Sequence, residues 1–247
     1  MERVNFEPCA AEVMRRFARA AGGEVLEVGG GVAGFVASDS PVNAAKGMDG
    51  KVGATELKQV MEFFFDRRKD AVVELAPWVE AECMAELGEL GFMRVAEEDV
   101  MAQRSVDGGV DLEECRDVEE WARLMCLSFF GNVNEQGMEL GRAMFHAPDS
   151  LNLGIWENGD LVTGGGLTFL CGQGLMAGDA TLEQFRGRGL QQKLIRGRMR
   201  RAHEAGCEWV HSEVLRASGS QRNYERCGFS PVYARAHYLR PYTGVSH

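Results

Sequence analysis

The amino-acid sequence predicts an α/β fold in which a mixed sheet has helices on both faces. Helical and strand patterns alternate along the whole chain. In the second half a helix precedes a three-strand meander, and alternating strand–helix units follow it. The 247 residues suit one large domain or two small ones, and the 45% hydrophobic content is ordinary for a globular protein.

In the first half, apolar periodicity predicts helices at 9–21, 55–68 and 78–90, and strands at 24–28, 32–37, 71–75 and 93–102. The second half is predicted to contain helices at 118–130, 189–205 and 219–227, with strands at about 151–156, 161–170, 174–182, 208–215 and 229–239. The tripeptide Asp107-Gly108-Gly109 is the most linker-like segment near the middle. The sequence therefore predicts two lobes that join close to this tripeptide.

Composition limits the class of protein. The formal net charge of -10 disfavours a general nucleic-acid coat. The sequence has no apolar run of about 18 residues, so we expect no membrane span. The first 17 residues carry three glutamates, so we expect no secretory signal. We expect a cytoplasmic protein that is a monomer or a homodimer. The seven cysteines form no C-x-x-C pair and the five histidines show no ligand spacing, so we expect no disulfide framework and no metal.

Two glycine-rich segments could bind a phosphate-bearing ligand. The first runs from Gly29 to Gly34 after a strand, as in the first motif of methyltransferases or dinucleotide-binding domains. Such a loop must open a helix, whereas residues 35–37 continue as strand and Pro41 would interrupt a helix. We therefore interpret this segment as a hairpin turn.

The second segment lies between a strand and a long helix and contains Gly187 and Gly189. Glycines let the backbone turn its N–H groups toward an anion, and a helix N-terminus adds positive partial charge. Arg186 and Arg188 add forked donors. The acidity of the chain is concentrated in residues 1–110, with 12 basic and 20 acidic groups, whereas seven basic residues crowd 186–201. The pattern predicts a metal-free diphosphate site, although a solvated helix face remains the alternative.

This segment resembles the coenzyme A loop of the GCN5-related N-acetyltransferases (GNAT), Arg/Gln-x-x-Gly-x-Gly/Ala. Two registers fit, one from Gln184 to Gly189 and one from Arg186 to Gln191, and the second agrees better with a strand-to-helix position. A Tyr-x-x-x-Gly-Phe pattern at 224–229 also resembles the family, so the likeness covers about residues 150–240. It implies tandem acyl-CoA N-acyltransferase-like lobes, each a mixed, mostly antiparallel sheet flanked by helices.

The resemblance also implies roles for individual residues. The strand before the loop would part from its neighbour and expose backbone groups to the pantetheine arm and the acetyl carbonyl. Ser220 and Asn223 would be further contacts, but the usual family Asn is Ala217 here. The full set of implied coenzyme contacts is Ala180, Thr181, Leu182, Arg186, Gly187, Arg188, Gly189, Leu190, Gln191, Ser220 and Asn223.

Catalytic roles follow in the same way. Tyr224 lies where the family places the general acid that protonates the leaving thiolate, with packing beside the Gly-Phe turn as the alternative. Asp179 is the first candidate for the base that takes a proton from the acceptor amine, and Glu213 is the second. A structural or solvated role is equally open for both carboxylates. Cysteine nucleophiles are not expected, because no histidine accompanies them.

The first half of the chain resembles a degenerate repeat of the second half. A strand at 72–75, a helix and Gly91-Phe92 parallel the strand at 209–215, its helix and Gly228-Phe229. Leu87 stands at the position of Tyr224, and residues 47–53 lack the loop pattern. We therefore expect a degenerate lobe without a coenzyme site at 1–107 and the catalytic domain at 108–247. Chance similarity of two β/α units is the alternative.

The resulting hypothesis is an acetyl-CoA-dependent N-acetyltransferase that transfers acetyl directly to a small-molecule amine or a protein N-terminus, with no nucleic acid or membrane partner. A non-catalytic acyl-CoA-binding sensor on the same fold is the main alternative. A methyltransferase that uses S-adenosylmethionine at Gly29 to Gly34 is a weaker one.

Overall fold

The computed structural model describes residues 4–38 and 40–244. The chain divides into two compact units, one formed by Met1–Glu98 with Tyr233–His247 and the other by Asp99–Val232. The first unit therefore takes its last strand segment from the end of the chain. The predicted boundary between residues 107 and 108 concerns where two copies of a sequence pattern join, and it stays a prediction.

In its described residues the first unit contains three helices and the predicted hairpin. Its elements are α1 (Glu7–Ala20), β1 (Glu24–Val28), β2 (Gly31–Phe35), β3 (Ala44–Lys46), α2 (Ala54–Phe65), β4 (Ala71–Leu75) and α3 (Pro77–Glu89). Parts of β5 (Met93–Arg104) and β11 (Ser230–Arg240) also belong to this unit. The strand order in this unit is β1-β2-β3-β4-β11-β5, with a parallel pair at β3 and β4 among antiparallel neighbours.

The hairpin between β1 and β2 turns at Gly29 and Gly30, whose φ angles are +57° and +79°. Positive φ at both turn residues matches the twist of an antiparallel hairpin. The hairpin interpretation is thus confirmed. No helix follows this turn, which removes the geometric basis of the methyltransferase alternative.

The sheet of the first unit is covered on both faces. Val73 and Leu75 pack with Leu57 and Phe64 of α2 and Leu87 of α3. On the opposite face a second apolar cluster joins α1 to the hairpin and comprises Ala11, Met14, Ala18, Val32 and Val36. The alternation along each strand supplies the two faces.

The second unit contains the other four helices and its own strands. The elements are β6 (Glu113–Glu114), α4 (Val118–Phe130), α5 (Glu135–Phe145), β7 (Ser150–Glu157), β8 (Asp160–Leu170), β9 (Gln173–Thr181), α6 (Leu190–Glu204), β10 (Trp209–Leu215) and α7 (Gly219–Arg226). The strand order is β5-β10-β9-β8-β7-β6. The β6 to β9 pairs are antiparallel, and β9 and β10 are parallel. The predicted fold class, mixed and mostly antiparallel, is confirmed.

Helix α5 was not predicted, and its packing explains the omission. Gly137 and Gly141 interrupt its apolar pattern and face α4. A Cβ at Gly137 would lie 2.5 Å from Cys126 Sγ, and one at Gly141 would lie 2.6 Å from Ala122 Cα. The glycines thus permit close approach of the two helices rather than a turn.

Strand β9 carries the irregularity that shapes the site. Ala177 pairs with Gly166 and Ala180 with Gly164, so Gly178 and Asp179 together oppose one residue of β8, Gly165. Gly178 has φ +67°, as expected for a bulge that begins with glycine in the left-handed region. The bulge leaves Asp179 out of the regular ladder.

The remaining composition-based expectations concern thiols and membranes. All seven cysteines are free thiols in the structure. No helix among the described residues has both the length and the apolar character that a membrane span requires.

Candidate active site

Strands β9 and β10 pair only over Gln173–Met176 and Trp209–Ser212 in the described structure, and then part. Beyond the parting point, the Leu182 N–H donates to Val162 O at 3.0 Å. Because hydrogen-bonding direction alternates along an antiparallel pair, Thr181 directs its backbone groups to the opposite edge. Its carbonyl there accepts from Arg186 Nε at 3.1 Å. Ala180 is buried, and its carbonyl accepts from Thr163 Oγ1 at 3.1 Å.

The glycine-rich segment lies between a short 3₁₀ turn at Glu183–Phe185 and α6. Gly187 and Gly189 both have φ +76°, and no heavy atom lies within 4 Å of a Cβ built on either. Gly189 is the N-cap of α6, so Leu190 and Gln191 lie inside the helix. This placement agrees with the Arg186 to Gln191 register. The exposed helix N-terminus is suited to an anion.

The two arginines of the loop are engaged differently. Arg186 is exposed, and its Nε binds the backbone as described above. Arg188 donates from Nη1 and Nη2 to the two carboxylate oxygens of Glu157, each at 2.9 Å. In this structure Arg188 is therefore held by Glu157 instead of being free for a ligand. A ligand anion would compete with a half-exposed ion pair, which is a weak competitor.

A buried polar cluster lies beside the parting strands. Arg198 and Tyr224 are both 0% exposed. Arg198 Nη2 lies 2.5 Å from Asp179 Oδ1 and 3.3 Å from the Tyr224 hydroxyl, and Arg198 Nη1 donates to Gly166 O at 3.1 Å. The Tyr224 hydroxyl in turn donates to Asp179 Oδ2 at 3.0 Å. The cluster brings together two predicted site residues, Asp179 and Tyr224, through an arginine that was not predicted.

Burial determines the protonation of the cluster. It raises the pKa of Tyr224 well above the ordinary phenol value; Arg198 opposes this rise and Asp179 reinforces it. Burial alone would lower the pKa of Arg198, but the charge of Asp179 and the contact with Tyr224 raise it overall. At neutral pH the cluster therefore holds a protonated phenol and a charged guanidinium.

Helices α6 and α7 are joined by amides at the edge of this cluster. Gln191 Nε2 donates to Asp179 Oδ2 at 3.0 Å and to Ser220 Oγ at 2.9 Å. Asn223 Nδ2 donates to Gln191 Oε1 at 2.7 Å, and Gln192 Nε2 donates to Asn223 Oδ1 at 3.1 Å. Gln191 occupies the Gly/Ala position of the family loop, and these contacts give its longer side chain a role in the network.

The two candidate bases occupy different surroundings. The carboxylate of Asp179 already faces three donors, from Arg198, Tyr224 and Gln191. Glu213 is half-buried on β10, one residue past the last pair with β9. These surroundings favour an orienting role for Asp179.

Sequence reasoning missed Arg198 and Gly165. A Cβ at Gly165 would lie 2.7 Å from Arg198 Nη1 and 3.1 Å from Asp179 Oδ1, so the glycine makes room for the ion pair. The available signal was that Arg198 interrupts the apolar face of α6. A charged residue at a core position predicts a buried partner, but the sequence does not indicate which one.

The first unit has a different charged group. Ligand atoms of Glu74, Glu98 and His237 lie within 4.8 Å of one another. Lys46 Nζ lies 2.8 Å from Glu74, and His237 Nε2 lies 3.2 Å from Glu98. The ammonium group already neutralises Glu74, so this group is a ladder of ion pairs across adjacent strands.

Comparison with known proteins agrees with this geometry. Residues 118–229 match the family model described as Acetyltransferase (GNAT) family. The match covers 112 of the 247 residues, a little less than half of the chain. None of the curated proteins compared with the chain matches it.

Solved structures extend the likeness to the whole chain. A GCN5-related N-acetyltransferase from Kribbella flavida is similar over 94% of this chain and 95% of its own, with TM-score 0.63 and 20% identity. A functionally unknown conserved protein from Staphylococcus epidermidis is similar over 96% of this chain and 97% of its own, with TM-score 0.64 and 10% identity. A tandem GNAT protein from the clavulanic acid biosynthesis pathway is similar over 78% of this chain and 69% of its own, with TM-score 0.56 and 12% identity. At such identities the likeness shows the GNAT fold alone.

Proposed function

We propose that this protein is an acetyl-CoA-dependent N-acetyltransferase that moves the acetyl group directly to an amine. The observation that carries the proposal is the parting of β9 and β10 beside a glycine turn that opens the basic helix α6. GNAT acyltransferases transfer acyl groups to amines, so the family of residues 118–229 supports the reaction class.

The second unit offers a matched set of groups for the coenzyme. The amides of Gly187 to Gln191 and the side chain of Arg186 would take the diphosphate. The edge of β9 beyond Met176, where pairing with β10 ends, would take the pantetheine arm. The open space around both glycines fits a bulky anion, because no side chain fills it. Ser220 and Asn223 would act mainly by fixing Gln191, to which both are bonded.

The chemistry needs a base, an oxyanion donor and an acid. In the proposal, Glu213 accepts the proton of the acceptor ammonium, directly or through water. Backbone N–H groups at the free edge of β9 stabilise the oxygen of the attacked carbonyl. Tyr224 donates its proton to the departing thiolate, which the raised pKa of its phenol keeps available. Acetyl-CoA supplies the activated acyl group, and no covalent intermediate on the protein is required.

A second function, a non-catalytic acyl-CoA sensor, is favoured by one observation. Tyr224 is 0% exposed and its ring packs edge-on against Phe229 at 5.0 Å. Such burial is what a purely structural tyrosine would show. The acceptor is defined in neither case beyond a small-molecule amine or a protein N-terminus.

Turnover and binding measurements separate these functions. Thiol release from acetyl-CoA is followed with a panel of small amines and short peptides, and acetyl-CoA and S-adenosylmethionine binding are measured by calorimetry. We expect amine-dependent thiol release, and a loss of about 10²- to 10⁴-fold in Tyr224→Phe with acetyl-CoA binding retained. Binding without turnover of any amine would support the sensor. Unchanged turnover in the variant would remove the role of Tyr224, and binding of S-adenosylmethionine alone would overturn the proposal.

A further inference from the structure

Arg198 is a charged residue placed in an apolar helix face. Its neighbours on α6, Leu194, Ile195, Met199 and Ala202, are all buried. A guanidinium removed from water is costly unless its charge and its donors are compensated. Arg198 Nε is buried and lacks a hydrogen-bond acceptor in the described structure, so the compensation is incomplete. A buried arginine kept at this cost calls for an explanation beyond packing.

The backbone around the guanidinium is adapted to it. Gly165 lacks the side chain that would collide with Arg198 Nη1. The bulge at Gly178 removes Asp179 from the ladder opposite Gly165, and its carboxylate meets Arg198 Nη2 at 2.5 Å. The same Nη2 atom lies 3.3 Å from the Tyr224 hydroxyl. Two strands are therefore shaped so that one cation faces both a carboxylate and a phenol.

We propose that Arg198 is a positioning residue that fixes the Tyr224 hydroxyl and stabilises the phenolate formed when Tyr224 acts as an acid; this rests on the proposed function. In the step, the O–H bond of Tyr224 breaks and an S–H bond forms on the departing thiolate. The electron pair stays on the phenolate oxygen, next to Arg198 Nη2. The proton that the attacking amine loses restores the phenol through solvent. Arg198 makes no contact with the substrate in this role.

Asp179 orients the hydroxyl group of Tyr224. It accepts the Tyr224 proton in the resting state and so fixes the hydroxyl orientation. A carboxylate alone would oppose phenolate formation, because two anions would then face each other. Arg198 lies against both groups and offsets this repulsion. The three side chains therefore act together, and Arg198 is the cation that makes proton donation by Tyr224 possible.

The test uses three variants of the second unit and one matched control. Arg198→Met removes the charge at similar volume, Arg198→Lys retains it, and Gly165→Ala displaces the guanidinium without changing any charge. The control Arg235→Met removes another arginine that is 0% exposed and paired with a carboxylate, in the first unit. Folded fraction, acetyl-CoA affinity and turnover are measured for each at a temperature where all four are folded.

We expect turnover to fall at least about tenfold in Arg198→Met and Gly165→Ala, because one pKa unit of lost stabilisation is tenfold. Acetyl-CoA affinity should stay within about threefold, Arg198→Lys should recover part of the loss, and Arg235→Met should turn over normally. Turnover of Arg198→Met within threefold of wild type would overturn the proposal. A parallel loss of coenzyme affinity and turnover would do the same, because it indicates a structural role only.

A titration without substrate separates this proposal from the proposed function. Tyrosinate absorbance is followed against pH in Asp179→Asn and in the double variant Asp179→Asn/Arg198→Met, each corrected with Tyr224→Phe on the same background. Loss of Arg198 should move the Tyr224 midpoint upward by about 1 to 3 pH units. Identical midpoints would overturn the role of Arg198. If the midpoints differ but no amine is acetylated, the electrostatic coupling stands and the acetyltransferase proposal fails alone.

Discussion

Each of the two units buries an arginine against a carboxylate and a tyrosine. In the first unit Arg235 Nε donates to Glu7 Oε1 at 2.8 Å, and the Tyr233 hydroxyl donates to the same oxygen at 2.7 Å. The Phe6 N–H donates to the Tyr233 oxygen at 3.3 Å. This group links the start of α1 to β11. Its geometry is that of a structural anchor.

The corresponding group of the second unit is similar in composition but different in place. Asp179, Arg198 and Tyr224 lie where β9 and β10 part, and Gln191 joins them to the helix that follows the glycine loop. An arginine, a carboxylate and a tyrosine therefore anchor a helix in the first unit, and in our proposal they prepare a proton donor in the second unit, where β9 and β10 part.

If the first unit is a copy of the second, β3 and β4 are the strand pair that corresponds to β9 and β10. Beyond the pairing of Ala45 with Val73, an ion pair between Lys46 and Glu74 bridges β3 and β4. At the start of α2, the Glu56 carboxylate accepts from the Gly53 N–H and so places a negative charge where an anion would bind. Leu87 fills the position of Tyr224 as part of the apolar core. These contacts support the proposed loss of coenzyme binding in this unit.

The largest expected effect comes from breaking the two buried ion pairs. Arg198→Met and Arg235→Met each leave a carboxylate buried without its cation, so each should lower the free energy of unfolding by about 3–5 kcal/mol. Urea denaturation measures both. A loss below about 1 kcal/mol in either variant would contradict the idea that the units depend on these pairs.

A smaller effect is expected at the helix starts. Gly189 has φ +76°, so Gly189→Ala should cost about 1–2 kcal/mol and weaken acetyl-CoA binding. Gly53 has φ −146°, which alanine adopts freely, so Gly53→Ala should cost less than about 1 kcal/mol and leave binding unchanged. Denaturation and calorimetry on the two variants test the difference. Equal costs would show that the α6 turn does not depend on its left-handed glycine.

The loops before α7 and α3 differ in strain. Ala217 has φ +61°, a conformation that asparagine tolerates better, whereas Ala76 has φ −65°. Ala217→Asn should therefore stabilise the protein by about 0.5–1 kcal/mol. Thermal or urea unfolding measures the gain. A destabilised variant would mean that the exposed Ala217 side chain has a packing role that its exposure does not suggest.

The smallest effect concerns pH and the first unit alone. Burial would lower the pKa of His237, but the hydrogen bond to Glu98 and the charges of Glu74 and Glu98 outweigh burial and the opposing Lys46, and raise it above 6.5. Stability from this group is then full below the unfolded pKa near 6.5 and is lost as the pH rises through the folded value.

We therefore expect the urea midpoint to fall between pH ~6 and pH ~9, and His237→Gln to reduce this fall. A midpoint that falls equally in the variant and in wild type would assign the pH dependence to another group.

The sequence predicted those elements whose periodicity is undisturbed. Helix α4 and strands β4 and β8 were found because their apolar residues follow one period and the core they join is local. Helix α5 was missed because Gly137 and Gly141 serve helix packing, which a one-dimensional pattern cannot distinguish from a break. Strand β3 was also missed, because its three residues are too few to show an alternating pattern.

The candidate site was predictable where it follows from local backbone chemistry. The turn at Gly187 and Gly189 needs only glycine conformation and a helix start. The cluster around Arg198 could not be predicted in this way, because its contacts join β8, β9, α6 and α7 across 19 to 45 residues. The burial of this cluster also depends on the bulge at Gly178 and on the absence of a side chain at Gly165, and neither feature has a distinctive sequence pattern.

The late strand of the first unit has a consequence for synthesis on the ribosome. Residues Ala71–Leu75 of β4 pair with Ala236–Arg240 of β11, so each residue of β4 waits for a partner that is translated 161 to 169 residues later. Until then the nascent chain presents an unpaired strand edge, a state prone to mispairing with other chains. The first unit therefore cannot complete its sheet until the intervening residues 99–232 have been translated.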